Sequence, residues 1–283
     1  DAAAVARLRD RKGRSEKPLA VMCANLASAA TFAQVNDAER ELMLSPAHPI
    51  VLLKKRPDAP AWPGVADGLT EIGVMLPYTP LHALLFHALA GEPEGTAWLE
   101  DAVIPEALVM TSANPGGEPL VIDNDEAMRR LAHIADAVLL HNREILLRND
   151  DSVVRVAEEG PLWVRRARGA VPESIVMPDV PGMDEASRPS VLAYGPWMKE
   201  TLCQTRGGEA FLSQHIGDLE NRTVVHAMKE GAEHLARILA KAPDAFACDA
   251  HPDFASTHEA ERRAVESGLP LVKVPHHLSL IHI

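Results

Sequence analysis

The sequence predicts two mixed α/β domains in one chain. Three observations lead there. The first half alternates short apolar runs with short helical stretches. Val176–Pro189 (VMPDVPGMDEASRP) is rich in proline, glycine and acids without periodicity, and so reads as a linker. The second half opens with three short strand-like runs and then alternates helix and strand. The predicted boundaries are a first domain over 1–178, a linker over 179–190 and a second domain over 191–283.

In the first half, Leu19–Cys23 is predicted as a strand, Ser28–Val35 and Ala38–Leu44 as helices, and Ile50–Leu53 as a strand. Gly73–Leu76 leads into Pro77-Tyr78-Thr79-Pro80. Pro80 suits the first position of an apolar helix through Ala90. Leu108–Thr111 reads as a buried-type strand. Asn124 is placed to cap a helix whose acidic start and basic end match the helix dipole. Ala137–Leu140 reads as a strand. Ser152–Ala157 and Leu162–Arg166 form a hairpin around Glu158-Glu159-Gly160.

In the second half, Val191–Tyr194, Glu200–Thr205 and Glu209–Ser213 are predicted strands, the last two joined by Arg206-Gly207-Gly208. A long helix (Arg222–Lys241), a strand (Ala245–Asp249), a helix (Ser256–Ser267) and a strand (Leu271–Val274) follow. This order is the opening of an actin-like ATPase subdomain, expected to be partial here. The chain opens at Asp1 inside a helical stretch, and we expect it to be cut from something longer.

Composition bounds the function. With 47% hydrophobic and 24% charged residues the chain is ordinary globular protein, and with 4% aromatics its cores must rely on aliphatic side chains. A formal net charge of −12 argues against general nucleic-acid binding, which draws on cationic contacts to phosphates. The basic residues are nonetheless clustered, at Arg7–Lys17 and at Arg165–Arg168, as suits a small anionic ligand or a solvated face. Three cysteines, none in a CxxC pair, form a reduced pattern and point to the cytoplasm. No apolar run approaches the ~20 residues of a membrane span, and no signal peptide is read.

Three segments could carry chemistry. Thr111-Ser112-Ala113-Asn114 directly follows an apolar strand and precedes Pro115-Gly116-Gly117. Its hydroxyl and amide groups could hold a phosphate or carbonyl oxygen, or it could be an ordinary turn. Arg148-Asn149-Asp150-Asp151-Ser152 could be a structural ion-pair cluster, could organise a cation, or could orient an arginine on phosphate. Arg165-Arg166-Ala167-Arg168 suits an anion or the surface.

Taken together these segments resemble the YrdC-like domain of the hydrogenase-maturation carbamoyltransferases. The matching stretches are Leu8–Met22, Gly73–His82 (GVMLPYTPLH), Leu108–Pro119 (LVMTSANPGGEP), His141–Arg155 and Val164–Pro172. Lys199, Phe211–Leu219 (FLSQHIGDL) and Asp249–Thr257 resemble the TsaD-like, actin-fold (ASKHA) domain of the same proteins. The resemblance implies an enzyme that uses ATP, Mg2+ and carbamoyl phosphate. It would form carbamoyl adenylate and pass the carbamoyl group to a cysteine of a HypE-type maturation partner. It implies that Lys12, Arg14, Lys17 and Arg168 hold phosphates or the nucleotide. Ser112, Asn114 and Ser152 would orient the acyl-phosphate group, and Arg148 and Asp151 would brace the pocket. His215 and Asp218 would lie close to the second domain's nucleotide or transfer site. The family's full-length members carry an acylphosphatase-like domain and CxxC zinc motifs upstream, both lacking here. They also carry a histidine-rich metal site. His276 matches its first zinc or iron ligand, but the i+4 position is Leu280 and His282 falls on another face, so tight metal binding is not expected from this tail. The first phosphate loop reads Ala193-Tyr194-Gly195, without the acid common in actin-like ATPases. Alternative readings are a threonylcarbamoyl-AMP synthase for tRNA modification, and a non-catalytic module binding nucleotide or double-stranded RNA.

Overall fold

The computed structural model describes residues 1–14 and 16–276. The chain forms two units. The first comprises Asp1–Gly116, Asp123–Arg143 and Asp151–Gly169; the second comprises Gly117–Ile122, Glu144–Asp150 and the chain from Ala170 onward. The first unit thus ends before residue 178, because Ser174–Val176 is drawn into the second unit's sheet.

The first unit opens with α1 (Ala2–Lys12), capped by the Asp1 carboxylate and closed by Gly13 in the left-handed region at φ 59°. Then come β1 (Ala20–Cys23), the single turn α2 (Leu26–Ala29), α3 (Asp37–Leu44), β2 (Ile50–Lys54), β3 (Glu71–Met75) and α4 (Pro80–Leu89). β4 (Ala107–Met110), α5 (Asn124–Arg130) and the hairpin β5 (Val153–Ala157)–β6 (Gly160–Arg165) complete it. A reciprocal capping box between Asn36 and Glu39 starts α3. Pro80 occupies the first turn of α4 as expected, with Thr79 as cap.

The six strands run in the order β4-β1-β3-β2-β5-β6. On one face Val21, Val74, Val51, Leu53 and Val154 build the main core. On the other, Met22, Met75 and Ile50 pack under Phe86, Trp98 and Ile104. This two-sided burial explains why these strands read as near-continuous apolar runs.

The second unit contains β7 (Ser174–Val176), β8 (Val191–Tyr194), β9 (Leu202–Arg206), β10 (Glu209–Leu212), α6 (Arg222–Ile238), β11 (Ala245–Asp249), α7 (Ala255–Ser267) and β12 (Leu271–Val274). Its sheet order is β12-β11-β8-β9-β10-β7. β8, β9 and β10 are antiparallel neighbours, and β11 and β12 extend the sheet parallel to β8. α6 buries Val224, Met228, Gly231, Ala232 and Leu235, a stripe at i, i+4, i+7, i+8 and i+11 facing the sheet core.

Several local expectations change. Ala137–Leu140 forms no strand; Leu139 is 75% exposed, since no neighbouring strand offers it a ladder. The helix expected over Ser28–Val35 is only α2, after which Ala33 bridges to Lys55 in extended form. The cap of α5 is Asp123, not Asn124, whose side chain donates to the His141 carbonyl at 2.7 Å. β4 lies at the sheet edge and every residue of it is half-buried, so it is not a central strand.

Candidate functional site

Two clusters of polar side chains form in the first unit. The first gathers where α1 ends and β4 runs out. Lys12, 7% exposed, is in the last turn of α1. Its Nζ donates to the Ser112 carbonyl at 2.5 Å and reaches Asn114 Oδ1 at 3.5 Å. Ser112 Oγ donates to the same Asn114 Oδ1 at 2.7 Å. Arg14 Nη1 donates to Thr111 Oγ1 at 3.1 Å, and its Nη2 to the Pro18 carbonyl at 2.7 Å. A buried amine needs such partners to offset lost hydration. Here they come from the turn that the sequence singles out.

Arg9 is the residue missed. Its guanidinium donates to the carbonyls of Gly64, Arg14 and Lys17 at 2.6, 2.9 and 3.1 Å. It thereby holds the loop that carries Arg14 and Lys17. The basic cluster showed this arginine, but nothing local distinguishes it, since one partner is 55 residues away. Lys17 contributes its backbone carbonyl to this arrangement and is itself exposed.

The second cluster centres on Arg168. Its Nε donates to Asp151 Oδ1 at 2.8 Å, Nη1 to the Ala47 carbonyl at 3.0 Å and Nη2 to the His48 carbonyl at 2.8 Å. The guanidinium lies 3.5 Å from the centroid of the Tyr78 ring, a cation–π contact. Tyr78 meets His82 edge-on at 4.6 Å. Burial, helped by Asp151, pushes the Tyr78 phenol up; burial, helped by Arg168, pulls the His48 and His82 imidazoles down. Asp151 is thus the carboxylate counter-charge to Arg168. Gly169 makes the close approach possible: it sits at φ +81°, and a Cβ there would meet the Ala47 Cα and O at 2.5 Å. Tyr78 and His82 lie in the GVMLPYTPLH stretch, whose only local signal was the proline-bounded turn.

Ser152 differs from its expected part. It is fully buried, its Oγ donating to the Arg168 carbonyl at 2.9 Å and accepting from the Ala167 N–H at 2.8 Å. The hydroxyl therefore staples the arginine loop to β5 rather than facing a ligand.

Beside the Met22–Phe86 cluster, part of the same sheet face is only half covered. Register places Ala20 beside Met110, Met22 beside Leu108, and Gly73 beside Leu52 on one face. Ala20, Gly73, Leu108 and Met110 are only half-buried. A Cβ on Gly73 would come within 2.9 Å of Ile50 Cγ2, so glycine keeps this floor low. Glu71 and Arg155 pair at its far side.

The remaining residues lie in the second unit. Arg148, grouped by the sequence with Asp151, instead bonds to the Leu120 carbonyl at 3.0 Å and to Glu230 Oε2 at 3.1 Å. Asp218 Oδ1 accepts the Lys199 N–H at 2.7 Å, which holds Lys199 at φ 53°. His215 lies in the same return segment, which bridges Gly217 to Glu200. His276 Nδ1 is 3.1 Å from Asp249 Oδ2. Among the described residues no three His, Cys, Asp or Glu side chains group to hold a metal, and the expectations for His277–His282 lie outside those residues. No helix of the described residues is long and apolar enough to cross a membrane.

Comparison with known proteins finds two family models along the chain. The Sua5/YciO/YrdC family model, described as "Telomere recombination", matches residues 1–167, and the "HypF Kae1-like domain" model matches 186–282. The chain is 53% identical to carbamoyltransferase HypF2 of Cupriavidus necator, over 98% of this chain and 34% of that protein. It is 47% identical to carbamoyltransferase HypF of Rhizobium leguminosarum bv. viciae, again over 98% of this chain and 34% of the relative. A crystal structure of full-length HypF in the phosphate- and nucleotide-bound form superposes with a TM-score of 0.85 at 38% identity, covering 98% of this chain and 33% of that one. The chain therefore spans about a third of the length of the relatives it matches. The chain belongs to the Sua5/YciO/YrdC family, whose model covers more than half of it, and the HypF Kae1-like domain model matches the part that follows.

Proposed function

We propose that this chain is the adenylate-forming part, and the opening of the transfer part, of a carbamoyltransferase acting in nickel–iron hydrogenase maturation. The observation that carries the reading is the Lys12–Ser112–Asn114 cluster, in which a buried amine, a hydroxyl and an amide meet at the end of β4. ATP with Mg2+ and a carbamoyl group derived from carbamoyl phosphate are the substrates. A carbamate oxygen attacks the α-phosphorus, the bond to pyrophosphate breaks, and carbamoyl adenylate forms. A cysteine thiolate on a HypE-type partner then attacks the carbamoyl carbon, forming a C–S bond and releasing AMP.

Within that scheme Lys12 and Arg14 offset charge on the phosphates, which in a preorganised site lowers the barrier without reorganisation. Asn114 and Ser112 orient the acyl group. Arg168, held on Tyr78 and Asp151, fixes the wall on its side. The relative solved in a phosphate- and nucleotide-bound form supports a nucleotide as ligand.

The test is pyrophosphate exchange into ATP, dependent on carbamoyl phosphate, by the full-length protein. Asn114→Ala should lower it by about a hundredfold or more, the range for losing an oriented donor or acceptor in such a site. Unchanged exchange removes Asn114 from the site. Exchange that requires threonine and bicarbonate would point to a threonylcarbamoyl-adenylate synthase instead.

A further inference from the structure

The loop between β2 and β3 carries three prolines in seven residues, Pro57, Pro60 and Pro63. Each ring fixes one backbone dihedral. Backbone bonds hold the loop in shape: the Arg56 N–H donates to the Phe32 carbonyl at 2.9 Å, the Ala59 N–H to the Arg56 carbonyl at 3.1 Å and the Val65 N–H to the Trp62 carbonyl at 3.1 Å. The loop walls a cavity of about 330 Å³. That volume lies at the lower end of the ~300–1,000 Å³ range of small-molecule pockets. The cavity is formed wholly within the first unit, and none of its lining residues belongs to the Lys12–Asn114 or Arg168 clusters.

The lining has an apolar part and a polar part. Phe32, Val65 and Ile72 are buried, and Trp62 stands against Phe32 with centroids 4.8 Å apart and ring planes tilted by 59°. Tilted rings offer an edge or a face to a third ring. The half-buried Lys55 supplies the polar part. Its Nζ donates to the Ala66 carbonyl at 2.6 Å, which uses one of three N–H groups, and it forms no ion pair among the described residues. The other charges at the cavity are committed. Arg56 bonds to Asp58, and Asp67 accepts the Gly64 N–H at 2.8 Å. An ammonium beside aromatic and aliphatic walls favours a ligand with a carboxylate at one end and a flat apolar body.

The same walls anchor the segment that carries Arg14 and Lys17. The Val65 carbonyl accepts the Leu19 N–H at 2.8 Å, and the Gly64 carbonyl accepts Arg9 Nε at 2.6 Å. Arg9 bonds in turn to the Arg14 and Lys17 carbonyls. A ligand that holds Trp62 and Val65 in place therefore also holds these bonds.

We propose that this cavity binds a small aromatic carboxylate, and that its occupancy steadies the anchorage of Leu19 and the basic segment before it. It is an effector site, distinct from the Lys12–Ser112–Asn114 cluster, and it stands independently of the adenylation reading.

The test uses benzoate as the probe and amide hydrogen exchange in the full-length protein as the readout. Exchange over 59–68 should slow with a dissociation constant of about 1 mM or below, as nine non-hydrogen atoms allow. The peptide containing Leu19 should slow over the same concentration range. Benzyl alcohol keeps the ring without the charge and should bind about tenfold more weakly or worse, the cost of losing a charge-assisted bond. Lys55→Met should weaken benzoate by a similar factor. The comparison of the two ligands needs no variant, so it decides the charge requirement even where Lys55→Met fails to fold. Exchange over 59–68 that is unchanged by benzoate overturns the proposal. So does equal binding of benzyl alcohol, and so does protection over 59–68 that leaves the Leu19 peptide unchanged.

Discussion

Replacing Glu200 by glutamine should flatten the pH dependence of the second unit's stability. Glu200 is fully buried beside the β8–β9 turn. Its Oε1 accepts the Gly195 N–H at 3.0 Å, and its Oε2 has no hydrogen-bond partner. Burial pushes the carboxyl up from 4.5 to about 8, with only the Gly195 N–H opposing. The folded chain therefore holds a proton that the unfolded chain releases near pH 4.5. The stabilisation linked to that proton is complete below about pH 4.5 and is lost as the pH rises through about 8. At 1.36 kcal/mol for each pH unit of difference, the window is worth at most about 5 kcal/mol. Glutamine has the shape and hydrogen-bonding capacity of the neutral acid and does not ionise. Urea unfolding followed by circular dichroism from pH 5 to 9 should show the parent weakening steadily relative to Glu200→Gln. Parallel profiles for the two proteins would refute the reasoning, and would mean that the carboxylate is already charged and solvated in the fold.

Three further outcomes are expected. Gly169→Ala should destabilise the first unit by about 2–4 kcal/mol, since its Cβ has no room against Ala47 and the positive φ adds strain; thermal unfolding reads this directly. Ser152→Ala should cost about 1–3 kcal/mol, because it leaves the Ala167 N–H without its acceptor; a denaturant midpoint shift measures it. Phe86→Ala, at the fully buried centre of the α4 side of the sheet, should cost about 3–5 kcal/mol, detectable by the same unfolding curves. A change below 1 kcal/mol there would mean the cavity closes by movement of α4.

Local sequence made much of the site visible. The Ser112–Asn114 turn could be found because serine, asparagine, proline and glycine cluster after an apolar run. Lys12, Arg14 and Arg168 stood out as basic clusters in an acidic chain. What local sequence could not show was which polar groups satisfy one another. Arg168 and Asp151 read as separate charged runs until the sheet brought β5 and β6 together and placed the arginine on Tyr78. Ser152 read as a ligand-facing hydroxyl until its burial and two backbone bonds showed otherwise. Arg148, three residues from Asp151, bonds to α6, a partner 82 residues away.

The sequence by itself determined the elements with strong periodicity or caps. β11 and β12 matched their expected limits, α6 followed its apolar stripe, and Pro80 marked the start of α4. It also determined the resemblance to the carbamoyltransferases, because five stretches occur in the right order along one chain. Only tertiary structure decided strand order, the edge position of β4, the absence of a strand at Ala137–Leu140, and the membership of Gly117–Ile122 and Glu144–Asp150 in the second unit. The physical reason is range. Caps and periodicity act within a few residues, whereas a ladder partner, a buried ion pair or a backbone staple is chosen by groups that meet only when the chain has folded.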